Sequence, residues 1–170
     1  MSRQKMNWLV GINIPWFGAH MYGHDIGYNQ LFPGTIPYLN TNPNEIQNQF
    51  GSLNGAAKII RIWLFEGLEG LMFSSSSFIA PQDNVTGIDK LAFLPNVFRI
   101  LDEAGKNGFQ IYFTLFNSWD VENAPQPAKR SLLLNIVNDP RPFITNALSP
   151  LLSDMGQHPS VFGIDIMNEV

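Results

Sequence analysis

Four short runs of apolar, β-branched and aromatic residues punctuate the chain: Trp8 to Ile14, Ile59 to Phe65, Phe109 to Phe116 and Val161 to Met167. They start about fifty residues apart each time. Because these runs are continuous rather than alternating, they predict strands covered on both faces, as in a parallel sheet. Helical patterns fill the intervals. In "TNPNEIQNQFGSLNG", Asn42 is a cap candidate, Pro43 suits the first helical position and Glu45 stands where a capping-box acid belongs. Ile46, Phe50 and Leu53 then form one apolar face, and Gly55 can end the helix. In "LPNVFRILDEAGKNG" the stripe is Val97, Phe98, Leu101 and Ala104, closed by Gly105 or Gly108. In "DPRPFITNALSPLLSDMGQHP", Asp139 is the cap candidate and Pro140 starts the helix. Ile144, Leu148, Leu151, Leu152 and Met155 are expected to pack there, with a kink at Pro150.

The resulting order, β-α-β-α-β-α-β, implies parallel strands joined by right-handed crossovers. The period recurs without enough similarity between units to make a sequence repeat. The connections are asymmetric. After each helix a few residues such as "GKNG" or "GQHP" reach the next strand. After each strand the chain wanders, over Pro15 to Thr41, Glu66 to Asp89 and Asn117 to Asn138. Loops of that length in a compact domain are usually functional. All three leave strand C-termini, where both α/β barrels and open α/β sheets place their sites.

Composition narrows the class. The chain has 170 residues, 45% hydrophobic and 14% charged, which suits one globular domain. Net charge is −4 with no basic run, which argues against nucleic acid as a partner. Cys is absent, so disulfides and thiolate metal sites are excluded, although this does not fix the compartment. "MSRQKMNWLV" has two early positive charges and no apolar stretch of signal-peptide or membrane-span length. The expectation is therefore no membrane partner and a cytoplasmic protein by default, or a secreted one if the start lies upstream.

Glu169 is the first candidate for chemistry. It directly follows the fourth apolar run, so its carboxyl is expected at a strand's C-terminal mouth. Partial desolvation there raises a carboxyl pKa and suits a general acid. Asn168 adds an amide that can donate to a hydroxyl or a carboxylate. The plainer reading is a polar residue where a strand meets solvent. Arg61 stands inside "KIIRIWLFEG", where a charge is costly unless paired. Either it points inward and holds a carboxylate, or it lies along a helix with its head in water. Glu66, Glu69 and Asp120 fall in loops suited to cleft contacts. Aromatic residues crowd the post-strand segments: Trp16, Phe17, Tyr22, Tyr28, Phe32 and Tyr38, then Trp63 and Phe65, then Trp119. Such rings stack on the apolar faces of sugars, or else pack a long loop. His20 and His24 have helical metal-ligand spacing, but "GAHMYGHDIG" carries three Gly and no apolar period. A sugar hydroxyl contact or a loop hydrogen bond is the better reading. No metal or cofactor is expected. His158 is expected to cap a helix end.

The segments "GINIPW", "RIWLFEG", "IYFTLFNSWD" and "HPSVFGIDIMNEV", in this order and spacing, resemble the front half of clan A glycoside hydrolases, the cellulase- and mannanase-like members around family 5. The resemblance spans essentially the whole chain and is most specific in the last segment. It implies an α/β fold comprising the first four β/α units of a (β/α)8 TIM barrel, with parallel strands and truncation after strand four. Residues 1–170 would then be the N-terminal half of one catalytic domain, acting on β-linked glycosides with retention. It implies Glu169 as acid/base, Asn168 as contact to the hydroxyl beside the reacting carbon, and Arg61 as support for a nucleophilic Glu from strand seven, which this chain lacks. Asn117 and Trp119 occupy the cleft region after strand three. With Trp16, His20, Tyr22, His24 and Trp63 they complete the expected carbohydrate-binding set. The fragment alone is expected to be inactive, and its exposed sheet edges are expected to favour self-association. The alternatives are a non-catalytic carbohydrate-binding half-barrel and a flavodoxin-like open sheet.

Overall fold

The structure, a computed structural model, describes residues 10–18, 25–53, 57–74, 77–78 and 87–168. Strand β1 (Gly11–Asn13) is followed by a short helix α1 (Tyr38–Thr41) and by α2 (Glu45–Leu53). Strand β2 (Ile59–Trp63) leads into a two-stranded hairpin, β3 (Phe73–Ser74) and β4 (Ser77–Phe78). Helix α3 (Phe93–Lys106), strand β5 (Gln110–Asn117) and helices α4 (Ser118–Asn123) and α5 (Pro127–Asn138) come next. One helical stretch closes the order before β6 (Val161–Asn168). It runs through α6 (Arg141–Phe143), a π-helical segment (Ile144–Leu148) and α7 (Ser149–Met155).

The four long strands form one parallel sheet in the order β1-β2-β5-β6. Each strand is added beside its predecessor. This is the winding of the first four units of a (β/α)8 barrel. It excludes the flavodoxin-like alternative, whose strand order must reverse at a switch point. Ile60 and Ile62 of β2 and Ile111, Phe113 and Leu115 of β5 share one face and are fully buried. They join one core with Phe50 of α2 and Val97, Ile100, Leu101 and Ala104 of α3. The other face carries Ile59, Arg61, Trp63, Tyr112 and Thr114, and no helix among the described residues covers it. A hollow of about 400 Å³ opens on that face, lined by Ile59, Arg61, Tyr112 and Phe162 among others.

One irregularity decides which way β6 points. Ile111 pairs with Val161, but Tyr112 pairs with Gly163, so Phe162 is an extra residue in β6. A strand's faces alternate with period two. The bulge therefore moves Asp165 from the helix side to the open face, opposite Thr114. Gly163 allows the close pairing, because a Cβ there would lie 3.3 Å from the Tyr112 ring.

The helices depart from expectation in three places. The first begins at Glu45, not at Pro43, because Asn42 closes α1: its backbone N–H donates to the Tyr38 carbonyl. The segment Asn117 to Asn138, expected as a loop, holds α4 and α5. Asn117 caps α4 by accepting the Trp119 N–H, Pro127 opens α5, and Leu132, Leu133 and Ile136 are buried. Leu134 and Val137 are exposed on the same helix, which blurs the stripe. In the third helix, Ser149 N–H bonds the Ile144 carbonyl five residues back, the mark of a π turn. Pro150 has no N–H for the Asn146 carbonyl, which accepts instead from Gly87 N–H at 2.7 Å. The inserted turn rotates the stripe, so Leu148, Leu151 and Met155 are buried while Ile144 and Leu152 are exposed. Gly108, with φ +71°, follows the C-terminus of α3 as expected. His158 accepts from Ser160 N–H through Nδ1, which leaves Nε2 to donate to Asp102 at 3.2 Å.

Candidate active site

Arg61 is the centre of a polar cluster at the C-terminal side of the sheet. It points to the open face, not along a helix. Its Nε donates to Thr114 Oγ1 at 2.7 Å, and its Nη2 donates to Asp165 Oδ2 at 3.2 Å and to Asn168 Oδ1 at 2.9 Å. Three adjacent parallel strands thus share one guanidinium. The buried Ile60 and Ile62 fix its direction, since alternation leaves Arg61 no place in the core. The ion pair to Asp165 is about a quarter exposed on each side, so it positions the groups more than it stabilises the fold. Asn168, whose carbonyl oxygen faces Arg61, keeps its amide N–H2 for another acceptor. It is the last described residue; Glu169 lies outside the described residues, as do His20, Tyr22 and His24.

Aromatic side chains stand beside this cluster. The Arg61 guanidinium carbon lies 5.8 Å from the Trp63 ring centroid, within cation–π range. The Trp16 and Trp63 rings are 6.3 Å apart and tilted by 57°. Trp16 Nε1 donates to Glu66 Oε2. Burial pushes the Glu66 carboxyl pKa up, while the Trp16 N–H opposes the shift. Asn117 pairs in register with Asn168 at the tips of β5 and β6, and its Oδ1 caps α4. Trp119 lies 57% exposed one turn beyond.

Two of the carboxylates placed in cleft loops do not face the cleft. Glu69 is buried between the first two long loops, accepting from Ile26 N–H at 2.7 Å and Gly27 N–H at 3.2 Å. Burial, reinforced by the nearby Asp25 carboxylate, pushes its pKa up to about 8 against the pull of those backbone donors. Asp120 is buried with Lys129 at 2.8 Å. Loop backbone and a helical lysine claim these two groups, leaving Glu66 as the loop carboxylate beside the aromatic pair. Sequence reasoning missed Thr114 and Asp165. Register shows Thr114, but Asp165 needs the bulge. Among the described residues, no three His, Asp or Glu side chains form a metal cradle.

The fold is the front half of a (β/α)8 barrel, with polar and aromatic side chains gathered at the carboxyl ends of its strands. Solved structures similar to this chain include β-mannanases. The β-mannanase of the blue mussel Mytilus edulis matches at TM-score 0.64 and 21% identity over 95% of this chain and 41% of its own. The β-1,4-mannanase of the sea hare Aplysia kurodai matches at TM-score 0.69 and 21% identity, over 95% and 42%. The β-1,4-D-mannanase of Cryptopygus antarcticus matches at TM-score 0.68 and 21% identity, over 95% and 39%. The chain thus spans about two fifths of the length of these enzymes. No family model and no curated protein sequence matches it.

Proposed function

We propose that residues 1–170 are the front half of the catalytic barrel of a retaining glycoside hydrolase acting on β-linked polysaccharides, with β-1,4-mannan as the first substrate to test. Glu169 is the general acid/base. It protonates the departing glycosidic oxygen while a nucleophilic Glu, carried by strand seven beyond this chain, attacks the anomeric carbon. Glu169 then takes a proton from the water that releases the sugar. The two carboxyls work about 5–5.5 Å apart, on opposite sides of the scissile bond. Asn168 donates to the hydroxyl beside the reacting carbon. Arg61 holds the nucleophile ionised. Trp16, Trp63, Asn117 and Trp119, with His20, Tyr22 and His24, line the sugar path.

The observation that carries this reading is the single guanidinium bridging Thr114, Asp165 and Asn168 one residue before Glu169. It supports the reading by holding Asn168, the neighbour of Glu169, in a polar cluster on the open face of the sheet. The fold shared with three β-mannanases supports the choice of substrate. The test joins residues 1–170 to four further β/α units that supply the strand-seven Glu, and measures reducing ends released from β-1,4-mannan. Turnover is expected from the joined barrel and not from the 170-residue chain. Binding without cleavage by the joined barrel would favour a non-catalytic carbohydrate-binding half-barrel. Robust turnover by the chain alone would overturn the assignment of the nucleophile to the missing half.

A further inference from the structure

We infer that Glu66 is a positioning residue for sugar binding: its carboxylate holds the Trp16 indole against Trp63 and so fixes a two-ring platform for a pyranose of the β-linked chain. The inference rests on the carbohydrate reading above and adds to it a residue that touches no reacting atom.

The two rings are anchored differently. Trp63 is the last residue of β2, its backbone held in the parallel ladder to Thr114 and its ring beside Arg61. Trp16 lies three residues beyond β1. The next two backbone N–H groups, of Phe17 and Gly18, are held by the Asp25 carboxylate at 2.9 and 3.2 Å. The polar handle of the Trp16 ring itself is Nε1, which donates to Glu66 Oε2. Glu66 is a firm post. Phe65 before it is fully buried and stacked on Phe93 at 5.2 Å, and the Gly67 carbonyl after it accepts from Asn29 Nδ2 at 2.6 Å. A half-buried carboxylate in this place loses hydration and gains one strong donor. In exchange the ring loses rotational freedom before any ligand arrives. Ordering a large side chain on binding costs affinity, so a ring fixed in advance binds more tightly.

The test titrates the 170-residue chain with β-1,4-linked mannohexaose, reading tryptophan fluorescence, for wild type, Glu66→Gln, Glu66→Ala, Trp16→Phe and the double variant Trp16→Phe/Glu66→Ala. Gln keeps an acceptor and should bind as wild type. Glu66→Ala should bind roughly three- to tenfold more weakly. Trp16→Phe keeps an aromatic face and loses the handle, so it should weaken binding similarly. The double variant should be no weaker than Trp16→Phe alone, because the two residues act through one hydrogen bond. If Glu66→Ala binds like wild type, or if the two losses multiply in the double variant, the inference is overturned while the carbohydrate reading stands. If wild type itself does not bind mannohexaose, the inference is overturned, while turnover by the joined barrel decides the carbohydrate reading. Should Glu66→Ala fail to fold, Trp16→Phe binding as tightly as wild type overturns the inference from the other side.

Discussion

Replacing Glu69 by glutamine should make the protein less sensitive to pH and more stable at neutral pH. The Glu69 side chain is only 3% exposed, and its pKa is pushed up to about 8, first by burial and then by the Asp25 carboxylate. In the unfolded chain the same group titrates near 4.3. Between these values the native state holds a proton that the unfolded state has released, so stability falls as pH rises. The slope approaches about 1.4 kcal/mol per pH unit, or about 3 kcal/mol from pH 5 to 7.5. The raised pKa of Glu66 acts with the same sign. Gln keeps a carbonyl oxygen for the Ile26 and Gly27 N–H groups and carries no titrating proton. Urea unfolding followed by tryptophan fluorescence at half-unit pH steps measures the effect. Wild type should lose stability across the window, and Glu69→Gln should lose much less. A variant as pH-dependent as wild type, or a wild type that gains stability from pH 5 to 7.5, would show that Glu69 does not control this pH dependence.

Other consequences concern packing and pairing. Asp120→Ala leaves the buried Lys129 without its partner at 2.8 Å and should cost about 3–5 kcal/mol in urea unfolding, with Lys129→Met recovering much of the loss when combined with it. Gly70→Ala puts a Cβ 2.2 Å from the Phe93 ring at φ +73° and should destabilise by about 2–5 kcal/mol, read as a shift in thermal midpoint. Phe65→Ala removes a ring that meets Phe93, Phe116 and Phe143, and should cost about 3–5 kcal/mol by the same assay.

Some of this architecture is legible in the sequence and some is not, for physical reasons. Strands β2, β5 and β6 show as unbroken apolar runs, although only their helix-side face is covered among the described residues and Phe162 and Ile166 of β6 are exposed, and the regular spacing of those runs points to sequential winding. Arg61 stands out because a charge in such a run needs a partner. Its partner Asp165, 104 residues away, does not stand out. Counted from Val161 without the bulge, that side chain falls on the helix face, and only the extra residue at Phe162 turns it to Arg61. Helix α5 is hidden for a different reason: Leu134 and Val137 interrupt the polar face that would mark an amphipathic helix. The burial of Glu69 comes from loop-to-loop contact, for which a single sequence carries no period.

The carboxyl at position 169 is proposed to hand protons to and from a glycosidic oxygen. The most direct measurement compares residues 1–170 joined to four further β/α units with the same protein carrying Glu169→Gln, by initial rates of reducing-end release from β-1,4-mannan. The variant's rate is expected to be lower by about two to four orders of magnitude, with mannan binding retained. Equal rates for the two proteins would rule out that role for Glu169.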